Sequence, residues 1–210
     1  SVIAEAARLY GDGHMMMTTR LTIEVSEIAY HDIDAFCAHL AKAGLSVGGT
    51  GSKVRPVVSC KATTCQYGLY DAYALSDEIH TRFYQGYRGV SLPHKFKIAT
   101  GGCPNNCVKP TLNDLGIVGA RVPQYHIEDC RSCKKCQLEE DCPIHAAKKN
   151  TDGKLEIDAE LCNHCGRCIG KCPFHCNDEG VDGYKVYVGG RWGKKIAHGQ
   201  MLHKIFTDKN

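Results

Sequence analysis

Apolar positions recur along this chain with a changing period, and the changes mark its elements. Residues 2–10 carry Ala4, Ala6, Ala7 and Leu9 and read as a helix stopped by the turn Gly11-Asp12-Gly13. Over residues 15–25 the period drops to two. Met15, Met17, Leu21, Ile23 and Val25 fall on one face and Thr18, Arg20, Thr22 and Glu24 on the other, which predicts one half-buried strand. Helical spacing returns over 32–43 with Ile33, Phe36, Cys37, Leu40 and Ala41, Asp32 near the start and Gly44 as the stop. Cys37 lies on that stripe and reads as a buried core thiol. The run Gly48-Gly49-Thr50-Gly51-Ser52 lacks the Gly-Lys-Ser/Thr ending of a phosphate loop and reads as a crossing between domains.

A strand over 54–59 then delivers Cys60, a helix spans 69–85, and a second strand over 95–100 delivers Cys103. Residues 116–122 form another apolar strand, and after Pro123 the composition changes abruptly. Between Asp129 and Cys176 there are nine cysteines and little apolar material, so bound metal has to serve as the core. A strand over 184–188 and a short helix over 197–206 resume ordinary composition. The pattern predicts a mixed α/β sheet with ligands at strand ends, interrupted by an insertion at 124–180.

Composition narrows the chemistry. Fourteen of 210 residues are cysteine, residues 1–30 show no apolar signal-peptide core, and no stretch reaches eighteen consecutive apolar residues. Thiolate metal ligands in a reducing cytoplasm are therefore expected, without membrane insertion. The formal charge of +3 counts every cysteine as a neutral thiol. With twelve of them as thiolates on three cubes the holo-protein falls to roughly −3. Lysines and arginines are also scattered, so nucleic acid is not an expected partner.

Two cysteine patterns carry the chemistry. Cys60 and Cys65 are separated by four residues, and some forty residues later comes Gly101-Gly102-Cys103-Pro104-Asn105-Asn106-Cys107. Such pairs, held in glycine, proline and asparagine turns, suit one iron-sulfur cube, and by spacing alone structural zinc equally well. The insertion contains a repeat: Cys130, Cys133 and Cys136 precede Cys142-Pro143, and Cys162, Cys165 and Cys168 precede Cys172-Pro173. This is close to the two-cluster ferredoxin pattern, in which the fourth cysteine of each run ligates the other cube. A first set of Cys130, Cys133, Cys136 and Cys172 and a second of Cys162, Cys165, Cys168 and Cys142 are expected to hold one [4Fe-4S] cluster each. Cys176 reads as a neighbour of a cluster and not a ligand, and the eleven histidines show no ligand spacing.

The Cys60-x4-Cys65 pair followed by Cys-Pro-Asn-Asn-Cys resembles the signature of the sirohaem/[4Fe-4S] sulfite and nitrite reductase family. The insertion resembles that of anaerobic sulfite reductase C subunits and the dissimilatory type. The resemblance implies an α+β fold, a sirohaem reductase half-module with an inserted ferredoxin, and a chain that is a fragment of the full-length protein. Residues 1–45 would be part of a ferredoxin-like half-domain, 46–123 with 181–210 the sirohaem and cluster domain, and 124–180 the inserted ferredoxin. Cys107 would bridge cube and sirohaem, with Arg20, Arg55 and Asn106 beside the cofactor. Arg20 of Thr18-Thr19-Arg20, Arg55, and Lys95 and Lys97 of Lys95-Phe96-Lys97 match the family's cationic residues that hold the substrate oxyanion. Period two independently puts Lys95 and Lys97 on one face.

The implied activity is six-electron reduction of sulfite to sulfide, with sirohaem and three [4Fe-4S] clusters as cofactors. An electron-donating protein or subunit is the implied partner, and an oligomer is compatible with the family. Ammonia-forming nitrite reduction is the alternative enzyme reading, and a non-catalytic polyferredoxin the alternative from another class.

Overall fold

The computed structural model describes residues 1–208 and divides the chain into two units, Ser1–Val58 with Ile79–Lys97, and Ser59–Glu78 with the chain from Ile98 onward. In the first unit α1 (Val2–Tyr10) is alanine-rich, which favours helix because little side-chain entropy is lost. Ser1 caps it, its hydroxyl accepting from the Ala4 amide at 3.4 Å. The predicted strand over 15–25 is instead a hairpin. β1 (Met15–Met17) pairs antiparallel with β2 (Ile23–Val25), Met15 opposite Val25 and Met17 opposite Ile23. The Leu21 amide donates to the Thr18 carbonyl at 3.0 Å, and Leu21 sits at φ 59°, so the chain reverses over four residues. Alternation carries straight through so short a turn, which is why the period alone shows one strand. Met15, Met17, Leu21 and Ile23 are exposed, so the face expected to be buried is not.

The helix α2 (Ile33–Ala41) matches its periodicity, and Phe36 and Leu40 close on Ala6 to make this unit's core. Tyr10 meets Phe36 edge to face, ring centroids 6.2 Å apart. Cys37 is half-buried at the margin of this core, a correction to its placement inside.

The second unit is built on a five-stranded sheet in the order β3-β4-β5-β8-β9. Its members are β3 (Val58–Ser59), β4 (Ile98–Gly101), β5 (Leu115–Gln124), β8 (Glu179–Val188) and β9 (Gln200–Met201). β4 and β5 are parallel; β5 and β8 form an antiparallel ladder of ten pairs, from Leu115 opposite Val188 to Gln124 opposite Glu179. Ile98, Ala99, Val118 and Ala120 are buried in this sheet. The strand expected over 54–59 is ordered as strand only at Val58–Ser59, with Val54 making an isolated bridge to Phe96.

The helix α3 (Ala72–Ile79), continued by a π-helical stretch His80–Gln85, begins three residues later than its periodicity suggests. Asp71 ends the preceding loop, accepting from the Ala74 amide at 3.0 Å and the Thr63 hydroxyl at 2.7 Å. The helix expected over 197–206 is absent. That stretch lies along β8: Leu202 donates to Val186 at 2.9 Å, and Tyr184 and Phe206 exchange backbone bonds at 2.7 and 2.9 Å. The exposed edge of β8 has amides and carbonyls to satisfy, and this demand outweighs the local helical spacing.

From the far end of the β5–β8 ladder the chain leaves at Gln124 and returns at Glu179. The segment between carries α4 (Gln137–Asp141) and the short hairpin of β6 (Ala147–Lys149) with β7 (Leu155–Ile157). Its buried apolar cluster is Leu138, Ala147 and Leu155, packed against Cys130, Cys136, Cys142, Cys168 and Cys172.

Replacing Phe36 by alanine empties the centre of the first unit's core and is expected to cost about 3–5 kcal/mol. Denaturant unfolding followed by circular dichroism checks it; a loss below about 1 kcal/mol would show that this cluster is not the unit's core.

Candidate functional site

Strand ends set the first group of cysteines. Cys60 follows β3 and donates its amide to Thr100 of β4 at 3.1 Å, while the Gly102 amide just beyond β4 donates to Cys60 Sγ at 3.1 Å. A Cβ on Gly102 would lie 1.9 Å from Ala62 Cβ, and one on Gly119 would lie 2.4 Å from the Gly102 carbonyl oxygen, so only glycine lets these backbones close together. Burial pushes the Cys103 thiol up, and the thiols of Cys107, Cys60 and Cys65 add to the shift, which places those three within electrostatic reach of Cys103. Cys107 is the exposed member. The Tyr70 phenol is raised by burial and by the neighbouring Cys60, and its oxygen has no hydrogen-bond partner. Asn106 donates to Thr111 Oγ1 at 3.4 Å while its own Oδ1 is buried without a partner.

One backbone device recurs three times. After Cys103-Pro104, Cys142-Pro143 and Cys172-Pro173, the residue three past the cysteine has positive φ: Asn106 at 56°, His145 at 55° and His175 at 62°. Each donates its amide back to the cysteine carbonyl, at 3.2, 3.2 and 3.1 Å. Ser132 and His164, at matching places in the two Cys-x-x-Cys runs, are also left-handed, at φ 50° and 57°. Non-glycine residues adopt this region at a cost. Its recurrence at equivalent positions shows that the internal repeat is conformational as well as compositional.

Within 125–178 the thiols gather as two groups. Cys130, Cys133, Cys136 and Cys172, with Cys176, line a cavity of about 290 Å³. Cys142, Cys162, Cys165 and Cys168 line a second, much tighter one of about 20 Å³. Among the described residues no three His, Cys, Asp or Glu groups converge on a single point as one metal ion requires. Burial works against the Cys130 thiolate, yet the amides of Leu155 and Ser132 outweigh it and its pKa is lowered. The Leu155 amide lies 3.4 Å from Cys130 Sγ and the Ala146 amide 3.2 Å from Cys142 Sγ. Asn177 is wholly buried with its carboxamide against the Cys168 thiol, where it opposes the rise that burial imposes on that thiol's pKa. Amides aimed at sulfur are the surroundings that a thiolate-bound cluster needs, so the donor sets fit iron-sulfur cubes. Cys176 is 2% exposed and its Sγ donates to Cys172 Sγ at 3.1 Å. Burial and that contact push its thiol up to about 12.

The four expected cations lie in the first unit. Thr18 Oγ1 accepts from the amides of Arg20 and Thr22, both at 3.3 Å, and shapes the hairpin turn that presents Arg20. Arg20 Nη2 donates to the Pro56 carbonyl at 2.7 Å, next to Arg55, and the Arg55 amide donates to Phe96 at 2.8 Å, between Lys95 and Lys97. These contacts bring together the chain segments that carry all four. Arg55 donates from Nη1 to the Gly49 carbonyl, and its Nε is buried without a partner. Lys95 is exposed and Lys97 half-buried.

Sequence reasoning missed Tyr70, Asn177 and above all Lys185, which is 7% exposed and donates Nζ to the Asn163 carbonyl at 3.1 Å. A lysine inside the apolar run Tyr184 to Val188, on the same face as Gly183, was the available signal.

Residues 50–210 match the family described as "Nitrite and sulphite reductase 4Fe-4S domain". The chain is 32% identical over 194 residues to the coenzyme F420-dependent sulfite reductase of Methanocaldococcus jannaschii, covering 92% of itself and 30% of that protein. It is 30% identical over 233 residues to the C subunit of the anaerobic sulfite reductase of Salmonella typhimurium, covering 99% of itself and 64% of the relative. In fold it resembles the crystal structure of dissimilatory sulfite reductase I, with TM-score 0.70 at 20% identity over 99% of this chain and 54% of the other.

Gly102→Ala is expected to force the Cys60–Cys65 loop away from Cys103, removing about four irons per chain from anaerobically reconstituted protein while the rest stays. Gly89→Ala, in open space, is the control. Unchanged iron in Gly102→Ala would show that the close approach is dispensable.

Proposed function

The chain belongs to the nitrite and sulphite reductase 4Fe-4S domain family, and from that premise we propose that it is the sirohaem- and cluster-binding part of a sulfite reductase making sulfide by six-electron reduction. The observation that carries the reading is the gathering of Cys60, Cys65, Cys103 and Cys107 at the ends of β3 and β4, with Cys107 alone exposed. These four would hold one [4Fe-4S] cube, and Cys107 would face the sirohaem. Bound there, the coupled pair supplies an iron that binds sulfur and a store of electrons.

In this reading 124–180 is an inserted ferredoxin, flanked by 46–123 and 181–210, after a half-domain over 1–45. Its first set, Cys130, Cys133, Cys136 and Cys172, and its second set, Cys142, Cys162, Cys165 and Cys168, would hold two further cubes that receive electrons from a donor protein or subunit. The Salmonella relative is by name one subunit of its enzyme, which supports a partner chain here. Among the described residues no helix is long and apolar enough to cross a membrane.

The chain's own side chains deal with the anion and the protons. Sulfite leaves water only where fixed charge replaces its hydration. Arg55, with a buried unpartnered Nε, and Arg20, oriented by its bond to Pro56, suit that task because guanidinium stays charged at any working pH. Lys95 and Lys97 suit proton delivery, since an ammonium can give up its proton and recover it from water. Asn106, its Oδ1 unpaired beside Cys107, would orient the cofactor edge.

The test is an anaerobic visible spectrum with iron and sirohaem quantitation on the full-length protein expressed with sirohaem supply, followed by turnover. A sirohaem spectrum, about twelve irons in cubes and sulfide release are expected. Cubes without sirohaem would establish a polyferredoxin, and nitrite turnover with negligible sulfide would establish the ammonia-forming reaction. Arg55→Met is expected to raise KM for sulfite about 10- to 100-fold, the loss of one charge-assisted hydrogen bond. An unchanged KM removes Arg55 from the anion site.

A further inference from the structure

The two thiol sets of the inserted segment differ in the charge beside them. Against the second set, Lys185 projects from β8, where it stands opposite Val118 in the ladder, and its Nζ lies 3.1 Å from the carbonyl of Asn163. Asn163 is the residue after Cys162 and two before Cys165, so the ammonium is held at the loop that carries two of the four thiols. Lys185 is 7% exposed, and among the described residues no carboxylate lies within ion-pair range of it. Around the first set Arg131, Lys135, Lys149 and Lys171 line the cavity and Lys154 acts on Cys130, none of them buried; among them Lys149 is hydrogen-bonded to the loop between two of the thiols. Its Nζ donates to Lys134, between Cys133 and Cys136, at 2.9 Å, but it is 29% exposed and shares a carboxylate oxygen of Glu139 at 3.9 Å. One set therefore faces a buried cation without a carboxylate partner, and the other several cations open to solvent, whose charge water and salt screen.

The loop with the cation is also the one seated on the sheet. Arg121 of β5 donates its amide to His164 at 2.8 Å and bridges to Cys165, while its guanidinium is pinned by Asp182, with Nη2 to Oδ2 at 2.9 Å. Arg167 of the same loop lies over the Tyr67 ring, 5.4 Å from its centroid, and Tyr67 is two residues past Cys65. The second set thus adjoins the Cys60–Cys65 loop within this unit.

We infer that Lys185 is the fixed counter-charge of the cube held by Cys142, Cys162, Cys165 and Cys168, making it the more readily reduced of the inserted pair and the relay toward the cube of Cys60, Cys65, Cys103 and Cys107. The inference rests on the reading that the inserted segment holds two cubes. Reduction adds one negative charge to a cube, and a cation held a few ångströms away in a poorly polarisable surrounding favours that product. The other cube, whose neighbouring cations are screened by solvent, is the entry point. Electrons then run downhill from the first set to the second, and Lys185 acts on that order without touching substrate.

Redox titration of the anaerobically reconstituted chain, followed by electron paramagnetic resonance with iron and sulfide quantitation, tests this. Lys185→Met keeps the side-chain volume and removes the charge; Lys185→Arg keeps the charge. In Lys185→Met one cube of the three is expected to lose about tenfold in electron affinity, a midpoint about 59 mV lower, with iron content unchanged. Lys185→Arg is expected to titrate like the unaltered chain. An unshifted midpoint in Lys185→Met, an equal shift in Lys185→Arg, or loss of the cube from Lys185→Met would each overturn the inference, the last by making the role structural. If the unaltered chain takes up no cubes in the inserted segment, the underlying reading fails instead.

Discussion

The ten-pair ladder between β5 and β8 is the constraint on which the second unit depends. Along one face it carries Lys185 to the loop of Cys162 and Cys165, and through Arg121 it holds that loop in place. Near its middle, Gly119 lets the strand approach the Gly102 carbonyl, and Gly102 in turn reaches Ala62 and the Cys60 sulfur. A slip of β8 by one residue would turn Lys185 to the opposite face, and a slip of β5 would put a side chain where Gly119 stands. Both of these thiol centres are therefore tied to one set of backbone hydrogen bonds.

The segment beyond the ladder lives under a different rule. Leu138, Ala147 and Leu155 are too few to hold some fifty residues together by apolar burial, and five cysteines pack directly on them. Left-handed residues at Ser132, His145, His164 and His175 hold the corners in conformations that cost energy, so something must offset that strain. Under the proposed reading, bonds from the gathered thiolates to bound clusters would be of the right strength, as in other small domains folded around metal. Backbone amides from Leu155 and Ala146 directed at sulfur follow the same logic: the chain solvates the ligand atoms with groups that a sheet or helix would otherwise use internally.

Much of this was legible beforehand, for reasons that can be located. Cysteine spacing survives any detail of folding, because each Cys-x-x-Cys-x-x-Cys run is a short local loop; the pairing of the two runs with Cys172 and Cys142 came from the ferredoxin pattern, and one cavity is lined by Cys130, Cys133, Cys136 and Cys172 together with Cys176, the other by Cys142, Cys162, Cys165 and Cys168. Helices α1 and α2 were legible because their apolar stripes run for more than two turns. The hairpin at Met15 to Val25 and the edge stretch 197–206 were not. In the first, period two is indifferent to a reversal at Thr18–Leu21; in the second, the deciding partner is the edge of β8, which no local window contains. Lys185 escaped for a related reason. Its significance comes from Asn163, twenty-two residues away, and not from its own neighbours.

The place where the ladder opens has one more consequence. Because the chain departs at Gln124 and comes back at the residue paired with it, Glu179, the 125–178 segment is attached to the sheet as a cassette closed at its base. Two strands that meet at such a pair can be joined by a tight turn without altering any pairing below it. Over evolutionary time a cassette of this kind can be acquired, lost or exchanged for one with a different set of thiols, while the sheet and its own cysteines continue unchanged. The cysteine-rich segment and the sheet that bears it are thereby free to diversify separately.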